Sequence, residues 1–361
     1  VACTMFMGVR PSQPVLGPFS SCSCRLTRNF FVKSVGWHVD FDGDTPRFLK
    51  EVQQQGLTEE QAEEVLKEVL DQKAWREAEP QKAAERRESI CAQYTRLHPG
   101  LWEFSESIFH PDFPRLVQAF GPQTSRSPAQ IRSTIAQLEE EGIIVTIRDK
   151  LWSFPFLTET FCAQLEEETA HFNASACPKG RPNTMNRFGV LLKELGMESL
   201  WDRVVFDYLS PIADRLFSTA CEEGLDSYRA FTVSYEASDG KDQALALHYD
   251  NAEVTLNVNI GGEWEGGQVA FHGNKLLDPP CDHTTRVPVA LRRGHAVMHE
   301  GLELHEAEPV LRGRRHNLIL WCRSSRVRED MCPMCMMPPS LIATNDLADE
   351  GFTARQGGGS S

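Results

Sequence analysis

The residues His248-Tyr249-Asp250 begin the stretch that decides the fold of this chain, and His305 and Arg315 lie at its other end. His248 and Asp250 are two positions apart, so on a β-strand their side chains leave the same face about 7 Å apart along the backbone. An imidazole and a carboxylate arranged in this way can bind one metal ion from the same side. His305 follows Asp250 by 55 residues and would complete a set of two histidines and one carboxylate.

These three residue types, taken in this order, favour a particular kind of metal site. Two histidines and a carboxylate occupy one face of an octahedral ion and leave three positions free, the pattern of non-haem Fe(II) oxygenases. Arg315 ends the segment Pro309-Val310-Leu311-Arg312-Gly313-Arg314-Arg315, and its guanidinium could hold the far end of a dicarboxylate. An isolated His-x-Asp means little in a chain with 11 His and 51 Asp plus Glu, so the ordered set with its spacing carries the prediction.

The ordered set resembles the prolyl- and lysyl-hydroxylase type of 2-oxoglutarate- and iron-dependent dioxygenase. The interval between the histidines strengthens this likeness, because Thr255–Val258 followed by Glu265-Gly266-Gly267 is similar to the catalytic domain of lysyl hydroxylases. Three further stretches also resemble one member of this family: Pro178–Asn186, His248–Glu253 and Cys332–Cys335. The resemblance extends from about residue 150 to 335 and is weak before that.

The resemblance implies a complete set of catalytic residues and cosubstrates. His248, Asp250 and His305 would be the catalytic ligands of Fe(II), and Arg315 would bind the distal carboxylate of 2-oxoglutarate. Molecular oxygen would be the second cosubstrate, and the products would be succinate, carbon dioxide and a hydroxylated substrate. L-ascorbate would restore iron that becomes oxidised. The prime substrate is unknown, although the likeness to lysyl hydroxylases suggests a protein side chain.

Two further residues are candidates for contact with the cosubstrate. Tyr235 lies thirteen residues before His248, where these hydroxylases often have a tyrosine that reaches 2-oxoglutarate. The following Glu236–Gly240 departs from the usual Tyr-x-Pro-Gly, so a packed core tyrosine is an equal alternative. Asn257 could hydrogen-bond the cosubstrate or only the sheet, depending on the strand register.

His299 is the rival for the third metal ligand, since it lies only six residues before His305. His305 alone has Arg315 at the distance found in the family. We therefore expect His299 and His295 to lie in the barrel or at its rim.

Composition limits the class of protein. A chain of 361 residues that is 41% hydrophobic can bury a large core, and its net charge of −14 argues against a general nucleic-acid-binding protein, though not against a local basic groove. No apolar run is long enough for a membrane span. Eleven unevenly spaced cysteines fit reduced thiols, and the first nineteen residues do not resemble a signal peptide. We expect a cytoplasmic or nuclear protein, with the reservation that a chain beginning with Val1 need not include the natural N-terminus.

The predicted fold is α+β, with a mainly helical N-terminal region of unknown role at 1–145 and a dioxygenase domain at 146–335. About eight short strand-like runs between 227 and 323 predict a double-stranded β-helix, or jelly roll. In the first region, a capping box at Thr58 begins a helix to about Tyr94 that Pro80 should break in two. Residues 336–361 turn acidic and glycine-rich and predict a disordered tail.

The sequence also predicts the secondary structure of two segments before the barrel. Gly189 to Phe217 is predicted to be helical. The stretch Pro178–Asn186 is predicted to be a loop, either structural or covering the mouth of the active site.

The motif Cys332-x-x-Cys335 could be half of a zinc site, with Cys22 and Cys24 as its other half. The separation of one residue on one side and two on the other is loose, and nothing in the sequence indicates that the pairs meet. We therefore favour free thiols at this stage.

Two other classes of function stay open beside a dioxygenase. The barrel could bind metal without catalysis and serve as an interaction module, or the same three ligands could belong to a zinc or manganese hydrolase. Arg315 argues against the hydrolase, because hydrolysis needs no clamp for a dicarboxylate. Release of succinate from 2-oxoglutarate would separate the three.

Overall fold

A computed structural model describes residues 20–121, 127–221, 223–274, 286–343 and 351–355. In these ranges the helices α1 to α8 are Thr45–Gln54, Glu59–Gln93, Phe113–Ala119, Pro128–Glu140, Glu159–Ala174, Glu198–Arg203, Ser210–Leu216 and Ser325–Arg328. A π-helical turn joins α6 to α7 at Val204–Leu209, and 3₁₀ turns lie at Ser23–Leu26, Pro99–Trp102 and Glu106–Ile108. The strands β1 to β16 are Ser20–Cys22, Phe30–Val32, Trp37–Val39, Val145–Arg148, Leu151–Pro155, Ser227–Glu236, Leu245–His248, Val254–Gly261, Trp264–Gly266, Val269–Asn274, Val287–Val289, His295–Glu300, Glu303–Ala307, Val310–Arg323, Leu341–Ala343 and Thr353–Ala354.

Two antiparallel sheets form the barrel. The larger has the order β16-β6-β14-β8-β12-β5-β4 with β9 paired to β14, and the smaller has the order β11-β10-β13-β7. Along the chain β6, β8, β12 and β14 lie in the larger sheet, whereas β7, β10, β11 and β13 lie in the smaller one. This return from sheet to sheet is the winding of a jelly roll, so the predicted α+β fold with a double-stranded β-helix is confirmed.

The alternation of side chains along β14 gives the larger sheet two different faces. Leu318 and Leu320 pack against the helices outside the barrel, in the main hydrophobic core. Ile319 and Trp321 point to the other face and form the interior cluster between the sheets. Arg315 has the parity of Ile319 and Trp321, so a strand in this register carries its guanidinium inside the barrel.

The longest helix, α2, begins at the predicted capping box, in which Thr58 and Gln61 exchange side-chain and backbone hydrogen bonds. The predicted break at Pro80 is wrong, because α2 continues through it to Gln93. A proline leaves the carbonyl four residues earlier without its helical donor. That carbonyl belongs to Arg76, and it accepts a hydrogen bond of 3.1 Å from the guanidinium of Arg25 instead. None of the helices in the described ranges has the length and apolarity needed to cross a membrane.

The region before the barrel contains two separate hydrophobic cores. Residues between Phe30 and Val69 form a small core of their own, built from β2, β3, α1 and the start of α2. Side chains from Ile90 onward belong instead to the main core, together with the outer face of the larger sheet. The indole of Trp102 also donates a hydrogen bond of 2.8 Å to the carbonyl of Leu195. The boundary proposed at 145/146 therefore passes through a continuous core.

The end of the chain is more ordered than its composition suggests. Leu341–Ala343 pairs with Ser20–Cys22, and Thr353–Ala354 extends the larger sheet beside β6. Phe352 is fully buried, and the guanidinium carbon of Arg323 lies 3.3 Å from the centre of its ring. The predicted disorder of 336–361 thus does not apply to these strands, since one aromatic side chain and backbone pairing anchor them. Residues 344–350 and 356–361 lie outside the described ranges.

The predicted helix from Gly189 to Phe217 forms only in its second part, from Glu198 onward. Leu191 instead makes an isolated antiparallel bridge to Phe231. Gly196, with a φ of 76°, turns the chain between the extended and helical parts, a conformation in which glycine is free of steric penalty.

Candidate functional site

The strands β7 and β13 bring the predicted triad together. His248 and His305 are direct partners in the antiparallel pairing of these strands. Asp250 follows β7, and its backbone amide donates a hydrogen bond of 2.8 Å to the carbonyl of Gly301. The donor atoms of the three side chains lie within 4.8 Å of one another, and each histidine Nε2 is 3.8 Å from an oxygen of Asp250. All three are buried, so the set forms an enclosed cluster of donors.

Hydrogen bonds fix which nitrogen of each histidine faces this cluster. Nδ1 of His248 lies 2.7 Å from the carbonyl oxygen of Ala246, and Nδ1 of His305 lies 2.8 Å from that of Glu303. A carbonyl only accepts, so each Nδ1 carries the hydrogen and each Nε2 keeps a free lone pair for a metal. The hydroxyl of Thr255 donates to Asp250 at 2.8 Å and orients its carboxylate.

The electrostatics of the cluster favour the ligating forms of the histidines. Burial lowers the pKa of His248 well below its ordinary value, and the neighbouring His305 adds to this effect. Burial also lowers the pKa of His305, against the attraction of Asp250. The pKa of Asp250 is raised by burial, whereas its hydrogen bonds from Thr255 and Trp321 oppose that rise. Two neutral imidazoles and one carboxylate form a donor set that fits a divalent transition metal such as Fe(II).

His299 lies next to the triad without joining it. Its ring centre on β12 is 4.9 Å from that of His305, and Phe271 packs against both rings. Nδ1 of His299 lies 2.8 Å from the carbonyl oxygen of Glu300. Among the described residues, the donor group around Asp250 contains His248 and His305 but not His299. His295 is half-buried farther along the same strand.

Arg315 is buried inside the barrel opposite Tyr235, its direct partner in the pairing of β14 with β6. Its guanidinium carbon lies 4.7 Å from the centre of the Tyr235 ring, and Nη1 donates to the carbonyl of Gly267. Nε has no hydrogen-bond partner, and within the described part of the chain no carboxylate pairs with this side chain. Burial lowers its pKa. A buried guanidinium with an unused donor fits a carboxylate ligand, because leaving a charge unpaired in the interior is costly.

The glycine of the Gly-x-Arg segment explains how β14 reaches this position. Gly313 has a φ of 76°, in the left-handed region. A Cβ added there would lie 2.0 Å from the carbonyl oxygen of Glu263, so the close approach of the two chain segments requires glycine.

The loop Pro178–Asn186 contributes residues that were not predicted individually. Nδ2 of Asn186 donates a hydrogen bond of 3.1 Å to the hydroxyl of Tyr235. Asn183 holds this loop, because its side-chain oxygen accepts from the amides of Met185 at 2.9 Å and of Asn186 at 2.6 Å. The resemblance of the whole loop to a family member was the available signal. It did not single out Asn186, whose role depends on a tertiary contact.

Asn257 faces the interior cavity on β8. Its side-chain oxygen accepts a hydrogen bond of 2.6 Å from Nδ2 of Asn317 on the neighbouring strand β14. It therefore supports the sheet and lines the small cavity, and its contact with the cosubstrate stays a prediction.

Two cavities meet at the triad. A small one of about 40 Å³ is lined by the triad, Arg315 and Tyr235. A larger one of about 900 Å³ lies between the N-terminal segment and the barrel, and its wall includes His248. His248 therefore lines both cavities, and Arg315 lines the small one.

Comparisons with known proteins identify relatives of this chain. A family model described as OGFOD2-like domain matches residues 90–222. The chain is 36% identical over 348 residues to "2-oxoglutarate and iron-dependent oxygenase domain-containing protein 2" of Xenopus tropicalis, covering 93% of this chain and 94% of that protein. It is 34% identical to the Homo sapiens protein of the same name over 345 residues, with 94% and 95% covered.

More distant similarity reaches other hydroxylases. The chain is 26% identical over 239 residues to procollagen-lysine,2-oxoglutarate 5-dioxygenase 1 of Gallus gallus, covering 62% of this chain and 28% of that protein. A crystal structure of a Pseudomonas putida prolyl-4-hydroxylase aligns with a TM-score of 0.37 and 15% identity, covering 54% of this chain and 98% of that one.

Proposed function

Because this chain belongs to the family of 2-oxoglutarate and iron-dependent oxygenase domain-containing protein 2, and is thus a 2-oxoglutarate-dependent dioxygenase, we propose that it hydroxylates a side chain of a protein substrate. The observation that carries the proposal is the donor set of His248, Asp250 and His305 beside the buried, incompletely paired guanidinium of Arg315. An iron site alone would not need this second feature.

The protein's own residues would divide the work between holding iron and orienting the cosubstrate. His248, Asp250 and His305 would hold Fe(II), and Arg315 would bind the distal carboxylate of 2-oxoglutarate by parallel hydrogen bonds. Iron with bound 2-oxoglutarate supplies the oxidation, in which one molecule of oxygen gives one atom to succinate and one to the substrate with loss of carbon dioxide. Tyr235, held by Asn186, would fix the guanidinium from its other face. The apolar barrel excludes water and protects other side chains from the oxidant.

L-ascorbate is proposed as the reductant that returns iron to its ferrous state after turnovers without substrate. This role follows from the hydroxylase relatives and not from a binding site for ascorbate in the chain.

The large cavity supports a protein as the prime substrate. Its volume of about 900 Å³ exceeds what a single side chain fills, so a segment of extended peptide fits it. Arginine and lysine outnumber acidic residues in its wall, although the chain as a whole has a net charge of −14. The local excess of positive charge favours a peptide with acidic residues near the target side chain.

Succinate release tests the proposed activity. The full chain, loaded with Fe(II) and supplied with 2-oxoglutarate, ascorbate and air, is expected to form succinate, as measured by NMR. Asp250→Ala should abolish the product, and His295→Ala, which changes a half-buried residue outside the triad, should retain it. Equal rates in wild type and Asp250→Ala would contradict the proposal. Bound iron and 2-oxoglutarate without succinate would favour the inactive interaction module.

A further inference from the structure

Four cysteine thiols from opposite ends of the chain meet beside the large cavity. Cys22 ends β1 and Cys24 lies in the 3₁₀ turn that follows, whereas Cys332 and Cys335 come after the last barrel strand. The Sγ atoms of Cys22 and Cys335 are 3.9 Å apart, and those of Cys24 and Cys332 are 3.6 Å apart. All four sulfur atoms lie within 4.8 Å of one another. The structure thus joins the two pairs that the sequence spacing left separate.

Two of the six distances between these sulfur atoms match a tetrahedral metal site. Four thiolates at about 2.3 Å from a zinc ion lie about 3.8 Å from one another at the corners of a tetrahedron. The two measured separations of 3.6 and 3.9 Å lie on either side of this value. A disulfide would require sulfur atoms at about 2.05 Å and would join the thiols only in pairs.

The backbone around the second pair forms a closed turn. The amide of Met336 donates to the carbonyl of Cys332 at 2.8 Å, and the amide of Cys332 donates to the carbonyl of Met337 at 3.0 Å. This turn fixes the positions of Cys332 and Cys335 relative to each other.

We propose that Cys22, Cys24, Cys332 and Cys335 bind a structural zinc ion. Four thiolates with no oxygen or imidazole ligand are a ligand set of structural zinc sites, whereas the triad with its carboxylate and open positions suits Fe(II). All four protein ligands are present, so the site is closed and has a structural rather than a catalytic form.

The position of this site indicates what the zinc would do: it would join the N-terminal segment to the barrel beside the large cavity. Cys22, Cys24 and Cys332 line the large cavity whose wall also includes His248. Asn29, just beyond the first pair, donates a hydrogen bond of 2.9 Å to the carbonyl of Met334 between the second pair. The ion would hold the N-terminal segment against the barrel as one wall of the substrate cleft. Cys24 and Cys332 are 308 positions apart, so the link would close a very long loop.

Metal analysis of the full chain tests the proposal. Protein produced with added zinc should hold one zinc per chain after iron has been removed, as measured by plasma mass spectrometry. Cys24→Ser/Cys332→Ser should lose this zinc and keep the capacity for iron, whereas the exposed-site control Cys91→Ser should keep both. His248→Ala should lose iron and keep zinc, so failure of the iron site and failure of the zinc site are distinguishable. Absence of zinc from the wild type, or equal loss in Cys91→Ser, would overturn the proposal.

A spectroscopic measurement on the wild type covers the case in which the double variant does not fold. One equivalent of Co(II) should give the charge-transfer absorption of a tetrahedral tetrathiolate, and X-ray absorption of the zinc protein should show four sulfur atoms at about 2.3 Å. Oxygen or nitrogen neighbours would overturn the ligand set. Iron in place of zinc would contradict the proposed identity of the metal. Disulfides in the intact mass of unreduced protein would contradict both the metal and its ligand set.

Discussion

The triad and the cysteine cluster are two groups of metal-binding side chains that differ in how their residues come together. His248 and Asp250 are two positions apart, and His305 lies on β13, which pairs with the strand that ends at His248. Cys24 and Cys332 are separated by 308 positions and come from the two ends of the described chain. The alternation of a strand predicts the first kind of group, whereas only the completed tertiary structure reveals the second.

The largest expected effect separates the two groups directly. His248→Ala or His305→Ala should abolish both iron retention and turnover of 2-oxoglutarate, because each removes one of three ligands from a single face of the metal. Zinc content should not change in either variant. His299→Ala, which alters the adjacent buried histidine, should keep iron and turnover. Metal analysis measures iron and zinc content, and succinate release measures turnover of 2-oxoglutarate. Loss of iron in His299→Ala, with retention in His305→Ala, would show that the third ligand has been misassigned.

Two truncated chains should differ in whether they fold and which metal they bind. Residues 146–335 alone should be insoluble, because the main core includes side chains from Ile90 onward. A chain of residues 78–361 retains this core and the ion pair of Arg86 with Glu194, so it should fold and bind iron but not zinc. Circular dichroism and metal analysis of the two fragments test this expectation. A soluble, iron-binding 146–335 fragment would restore the domain boundary at 145/146.

Substitutions of Arg315 should separate cosubstrate binding from metal binding. Arg315→Lys keeps a positive charge but loses the planar fork, so we expect 2-oxoglutarate binding to weaken by about 1–2 kcal/mol. Arg315→Met leaves the distal carboxylate unpaired, and we expect a loss of roughly 3 kcal/mol or more. Iron and zinc contents should be unchanged, since Arg315 is a ligand of neither metal. Anaerobic titration of 2-oxoglutarate into the Mn(II)-loaded proteins measures the affinities, and equal affinities would remove the clamp.

The last prediction concerns the acid sensitivity of the fold outside both sites. Burial lowers the pKa of His316 to about 3, with a contribution from Arg314. In the unfolded chain its ordinary pKa is about 6.5, so the unfolded state alone binds a proton between these values. Its contribution to stability is present above pH 6.5 and is lost as the pH falls, by about 2 kcal/mol at pH 5.

Denaturant unfolding of His316→Gln should therefore show a shallower decrease between pH 7 and 5 than the wild type. The difference between the two proteins gives the part of the acid sensitivity that His316 contributes, separate from any loss of metal at low pH. The same slope in both proteins would show that other groups determine the acid sensitivity.

The sequence predicted the elements whose rules are local. The eight strand-like runs between 227 and 323 correspond to β6, β7, β8 and β10 to β14, because short β-type runs bounded by turn residues mark each strand. The capping box at Thr58 likewise marks the start of α2. His248 and Asp250 could be predicted to lie close together because they are two positions apart, although Asp250 lies just beyond the end of β7.

The remaining features depend on contacts between distant parts of the chain. Helix α2 continues through Pro80 because Arg25, far from it in sequence, donates to the freed carbonyl of Arg76. The short strand Thr353–Ala354 follows Phe352, whose ring packs against Arg323. Asn186 reaches the site through the hydroxyl of Tyr235. Periodic patterns in the sequence do not predict contacts between residues so far apart. The four cysteines, which come from opposite ends of the described chain, are the clearest case.

A crystal structure of the full chain grown anaerobically with Mn(II) and 2-oxoglutarate would test the central claim most directly. The account predicts an anomalous peak for manganese between Nε2 of His248, Asp250 and Nε2 of His305, with the distal carboxylate of 2-oxoglutarate on the guanidinium of Arg315. A peak ligated by His299, or a 2-oxoglutarate whose distal carboxylate lies away from Arg315, would contradict it.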